Sequence, residues 1–95
     1  MMYKELENKM NQANTSECAE AIKKYFDESE VIADWQLNGI AEYLLKKRSE
    51  EWPYILSSLR KTGEDEIAGW IEMKMPQVIH FLCQRVNKLT TKYKI

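Results

Sequence analysis

Turn-forming residues are scarce in this chain, with three glycines and two prolines among 95 residues. A β-sandwich or barrel of this length needs a turn about every 8–12 residues, so that composition excludes it. Cysteine is equally sparse: Cys18 and Cys83 are too few and too far apart to staple a small secreted fold. Residues 1–10 are charged rather than apolar and do not read as a secretory signal. Two buried thiols in a reducing, cytoplasmic setting are therefore expected. No stretch approaches the roughly 18 apolar residues of a membrane span, since even residues 78–83 are interrupted by His80.

The same scarcity bears on chemistry. His80 is the single histidine, and a His-paired nucleophile would have to use it. Its neighbours Ile79 and Phe81 predict instead a partly buried structural side chain. Neither a Cys-x-x-Cys nor a His-x-x-x-His spacing occurs, so no zinc site is expected. Gly39, Gly63 and Gly69 stand alone, with no phosphate-cradling loop around them. The carboxylate groups 27–30, 50–51 and 64–66 fall at predicted helix starts, where the helix dipole accounts for them. Neither an enzyme nor a cofactor is expected.

What is present is apolar and charged in helical proportion: 44% hydrophobic and 31% charged residues. Net charge is −1, too small for a global field that attracts nucleic acid. Its distribution is uneven. Residues 1–34 hold four lysines against eight carboxylates, whereas from Lys74 onward every charged side chain (Lys74, Arg85, Lys88, Lys92, Lys94) is basic. An acidic end and a mildly basic end follow.

Hydrophobic spacing predicts a single all-α domain over residues 1–95, a compact bundle of about five or six short helices. Met2, Leu6 and Met10 form a thin stripe on an easily frayed first helix, residues 1–14, set apart from a core in 15–95. Thr15 or Ser16 is the cap of a helix over 16–27 with Cys18, Ile22, Tyr25 and Phe26 on one face. Ser29 is read as the cap of a short helix over 30–36. Segment 31–45 is the densest apolar stretch, and its pattern returns over 66–82. Because Met75-Pro76 interrupts the second copy, a break at Leu37-Asn38, followed by a helix over 39–48, is expected in the first.

Trp52, Ile55, Leu56 and Leu59, at i, i+3, i+4 and i+7, predict an amphipathic helix that starts near Ser49 and closes at Gly63. A short helix over 64–74 and a last helix opened by Pro76 complete the reading. In that last helix Met75, Ile79, Leu82, Val86, Leu89 and Tyr93 step by four and three, which suits either a bundle helix or a homodimer seam through Ile79, Leu82, Val86 and Leu89. The expected core is Ile22, Phe26, Ile32, Trp35, Ile40, Leu44, Ile55, Leu59, Ile67, Trp70, Ile79, Leu82 and Val86.

Three tryptophans are generous for one small core, so two are expected inside it and at least one large aromatic outside, in an interaction patch. Trp52 and Tyr54, with the basic residues Lys46, Lys47, Arg48, Arg60, Lys61, Arg85 and Lys88, are the candidate partner-binding residues. The leading functional reading is a small non-enzymatic protein-binding module, an adaptor or inhibitor of the accessory kind that phages and mobile elements encode. The alternative is a small nucleic-acid-binding regulator that threads residues 32–45 as a helix-turn-helix and offers Glu42, Tyr43, Lys46, Lys47 and Arg48 to nucleic acid.

Overall fold

The computed structural model describes residues 2–92, with side chains as far as residue 80. The described residues form five helices: α1 (Tyr3–Gln12), α2 (Thr15–Glu28), α3 (Asp34–Lys47), α4 (Trp52–Lys61) and α5 (Asp65–Lys92). Helix α3 packs on α5, α2 on α4, α1 on α2 and α4 on α5. The all-α bundle of five helices is as the periodicity predicts, but α3 and α5 are longer than expected because the breaks expected at Leu37-Asn38 and Met75-Pro76 are absent.

The core begins in α1 rather than at residue 15. Leu6 and Met10 are fully buried beside Cys18, Ile22, Phe26, Ile40, Leu44, Ile55, Leu56, Leu59 and Ile71, whereas Met2, the first residue of the expected stripe, is exposed. Between α1 and α2 the cap is Asn14, whose side chain accepts from the Glu17 N–H at 2.9 Å. That places the cap one residue ahead of the Thr15 expected from composition, and Asn satisfies an orphan donor equally well.

Ser29 closes α2 instead of opening another helix, its hydroxyl donating to the Tyr25 carbonyl at 2.7 Å. No helix covers residues 30–33. Helix α3 begins at Asp34, where the Gln36 side chain accepts from the Ala33 N–H at 2.7 Å and donates to the Tyr25 hydroxyl. A glutamine reaching back across the first turn satisfies one free donor without a Ser or Thr cap.

Helix α3 then runs unbroken through Asn38-Gly39, contrary to expectation. Packing favours Gly39 there: a methyl group on it would lie 2.3 Å from the Tyr3 hydroxyl oxygen, so the ring would have to shift. The Tyr3 ring is held edge-on by Tyr25 at 6.0 Å and Trp35 at 5.2 Å between centroids. The roughly 1 kcal/mol that glycine costs inside a helix is outweighed by Ile40, Ala41 and Leu44, all buried in the next turn.

Helix α4 follows its predicted face and end. Gly63 has φ +90°, the left-handed conformation that glycine adopts without penalty. The Glu64 N–H donates to the Leu59 carbonyl and the Gly63 N–H to the Arg60 carbonyl, a Schellman closure. Helix α5 is continuous where a break at Met75-Pro76 was expected. Pro76 lacks the N–H that would bond Glu72, but Ile71 and Met75 ahead of it are buried and Val78 beyond it packs on the core. Burial on both sides holds the helix across the missing bond.

Four expected core positions lie elsewhere. Trp35, Trp70 and Ile79 are exposed, and Ile32 is half-buried. The Leu82 and Val86 side chains, with the rest of the expected seam, lie outside the described residues. None of the three tryptophans is fully buried, Trp52 being half-buried. His80 is exposed rather than partly buried. The interior of so small a domain is filled by medium-sized aliphatic side chains before an indole can be enclosed.

Candidate interaction groove

Continuity of α5 places Glu66, Trp70, Met73 and Gln77 at i, i+4, i+7 and i+11, on a face distinct from the buried Ile67, Ile71 and Met75. Opposite stand the start of α3 and the loop before it. Glu30, Ile32, Asp34 and Leu37 join Trp70, Met73, Lys74 and Gln77 around a groove of about 500 Å³. Ile32 and Leu37 are its sheltered apolar residues, while Met73 is 71% exposed and Trp70 39%. Val31, in the chain between two lining residues, is also exposed. An ion pair crosses the groove wall, with Lys74 Nζ 3.4 Å from Asp34 Oδ1.

A second groove, of about 390 Å³, runs between α1 and α3. Tyr3, Trp35 and Tyr43 line it together with Glu7, Glu42, Lys46 and Lys47. Burial, followed by Glu7, Tyr25 and Glu42, pushes the Tyr3 phenol up to about 12. Lys46 is paired with Glu42 at 2.7 Å, so this groove presents closely spaced opposite charges rather than a basic track.

The structure divides the candidate binding residues predicted from sequence. Arg48 is an internal clamp. Its Nη2 donates to the carbonyls of Met10 at 2.6 Å and Ala13 at 2.5 Å, at the end of α1. Its Nη1 donates to Glu51 at 2.8 Å, and Glu51 also accepts from the Thr15 hydroxyl at 3.4 Å. The ends of α1 and α3 and the starts of α2 and α4 therefore meet at one guanidinium. Hydrogen bonds to Tyr43, and secondarily to Glu51, favour its charged form. Arg60 pairs with Glu72 and ties α4 to α5. Tyr54, Lys47 and Lys61 are exposed but line neither the α3–α5 groove nor one another's surroundings as a set. The side chains of Arg85 and Lys88 lie outside the described residues.

Cys18 is fully buried, and burial pushes its thiol up to about 11. Among the described residues no group of three His, Cys, Asp or Glu side chains could hold a metal ion, and no helix is long and apolar enough to cross a membrane.

The groove residues Trp70 and Met73 are absent from the binding set predicted by sequence. Trp70 and Met73 already share a face of the expected helix over 64–74, but Trp70 is assigned there to the core, and only Gln77 needs the helix to continue past Met75-Pro76. No protein-family model, curated protein or solved structure matches the chain. The class it defines is therefore structural: an all-α bundle with an apolar groove between α3 and α5.

Proposed function

We propose that this chain is a protein-binding module that acts through the α3–α5 groove, as a small adaptor or inhibitor does. One observation carries the reading: Trp70 and Met73, two large apolar side chains left in water, stand at one groove lined also by Ile32 and Leu37, with the exposed Val31 next to Ile32 in the chain. Exposed apolar area costs roughly 25 cal/mol per Å², and a contiguous patch of it on a small domain marks an interaction site. The basic cluster that would support nucleic-acid binding is divided, since Arg48 is an internal clamp and Lys46 is paired with Glu42.

A photo-crosslinking amino acid placed at Met73, compared with the same group at the exposed Tyr54 on α4, tests this reading in the native host. A discrete protein adduct from position 73 that Trp70→Ala removes, with none from position 54, is the expected result. Equal labelling from both positions, or an adduct composed of nucleic acid, refutes it. A second reading is self-association along Ile79, Leu82, Val86 and Leu89, favoured by Ile79 standing outside the core. Light scattering at high concentration distinguishes a dimer from a monomer.

A further inference from the structure

The groove has a charge pattern as well as an apolar lining, and the two together specify an occupant. We infer that it takes an amphipathic helix of a partner protein, with two or three apolar side chains flanked by lysine or arginine. This rests on the protein-binding reading above and adds to it the chemistry of the partner.

The outward-facing charges at the rim are carboxylates. Glu30 is exposed at the loop end, and the Asp34 side chain is 82% exposed. Glu66, one turn before Trp70 on the same face of α5, is exposed as well. The cation that lines the groove, Lys74, is only 21% exposed and is paired with Asp34 from below. Its charge is answered by the wall itself, while Asp34, the more open member of the pair, still faces solvent. With Asp34 and Lys74 offsetting each other, the charge left is that of Glu30 at the groove and of Glu66 one turn beyond it on α5, which repels an acidic occupant and attracts a basic one.

The walls also select the form of the occupant. They consist of side chains from two turns of α5, the first turn of α3 and the loop residues Glu30 and Ile32, and no strand edge exists among the described residues. The Ala33 N–H, at the end of the non-helical stretch 30–33, is already donated to Gln36. With no strand edge to pair with, the groove suits an occupant that satisfies its own backbone groups, as a helix does. The span from Trp70 to Gln77 is about 10 Å along the α5 axis, two turns of a docked helix. That length matches apolar side chains at i, i+3 or i+4, and i+7.

Two synthetic 18-residue helices test the inference directly. Both carry the same leucine stripe, one flanked by lysine and the other by glutamate, and each is titrated into the full chain by fluorescence anisotropy. The lysine helix is expected to bind at least tenfold tighter, and its binding should weaken severalfold between 50 and 500 mM salt, as screening of exposed charges requires. Glu30→Lys combined with Glu66→Lys, two exposed changes remote from the core, should reverse the preference towards the glutamate helix. Met73→Ser should weaken both. A glutamate helix that binds as tightly as the lysine helix overturns the inference while leaving the binding module in place, provided Met73→Ser still weakens both. If neither helix binds, or if Met73→Ser changes nothing, the groove is not the binding site and both readings fall. Self-association of the protein alone that Met73→Ser abolishes would make a second copy the occupant and overturn the partner helix.

Discussion

Replacing Gly39 by alanine tests the packing that keeps α3 in one piece. In an unconstrained helix interior the change stabilises by about 1 kcal/mol. Here the new methyl would lie 2.3 Å from the Tyr3 hydroxyl oxygen. Tyr3 cannot swing away freely, because its ring makes edge contacts with Tyr25 and Trp35. Each such aromatic pair contributes about 0.5–1.5 kcal/mol beyond burial, so displacing the ring costs roughly 1–3 kcal/mol. The expected net effect is a loss of up to about 2 kcal/mol in the otherwise unaltered chain. In a Tyr3→Ala background the obstruction is gone, and Gly39→Ala should stabilise by about 1 kcal/mol. Urea unfolding of the four chains in this double-mutant cycle measures the coupling directly. A stabilising Gly39→Ala of the same size in both backgrounds, with coupling below about 0.5 kcal/mol, would refute the close approach of Tyr3 to α3.

Three further outcomes follow from the same structure. Arg48→Ala leaves the carbonyls of Met10 and Ala13 and the Glu51 carboxylate without their shared donor. It should cost about 2–4 kcal/mol, with Arg48→Lys recovering only part of that in thermal melts; a loss under about 0.5 kcal/mol would show that the clamp is incidental. In a Cys83→Ser chain, Cys18 should react with a disulfide reagent at pH 8 only as fast as the protein opens, since its thiol is raised to about 11 by burial; reaction at a free-thiol rate contradicts this. The Glu64 carboxyl is raised, first by burial and next by Asp27. Its favourable contribution is present below the ordinary carboxylate range and lost as pH rises through the raised value. Glu64→Gln should therefore match the parent near pH 3 and exceed it slightly at pH 7 in calorimetry, whereas lower stability at pH 7 would be the wrong sign.

Much of the fold was legible locally. The apolar spacing of Ile22 and Phe26, of Ile40 and Leu44, and of Ile55, Leu56 and Leu59 places buried residues where the structure has them, because helical period and burial face are properties of neighbouring residues. The end of α4 was readable for a similar reason: Gly63 satisfies a backbone requirement within one turn. The continuity of α3 and α5 was not readable. Gly39 and Pro76 carry local penalties of about 1 and 3 kcal/mol, and a local reading has nothing to set against them. The groove was hidden for another reason: the expected helix over 64–74 already carries Trp70 and Met73, but only the packing of α3 on α5 leaves Trp70 outside the core. Aromatic richness likewise marked tryptophans as important without saying which would face water. Basic residues at helix ends looked alike, yet one of them, Arg48, became the joint between four helices.

By itself, then, the sequence determined a single small helical bundle, the positions of most of its aliphatic core and the termination of α4. Each of these depends on interactions within a few residues. Only the tertiary structure decided that α3 and α5 run through their weak points, that Arg48 turns inward, and that Trp70 and Met73 line one groove with Ile32 and Leu37. Local backbone preferences amount to about 1 kcal/mol per residue and at most about 3 for proline, whereas each large apolar side chain buried against another helix contributes roughly 1.5–3 kcal/mol. Where several such side chains lie on both sides of a weak point, packing between helices prevails.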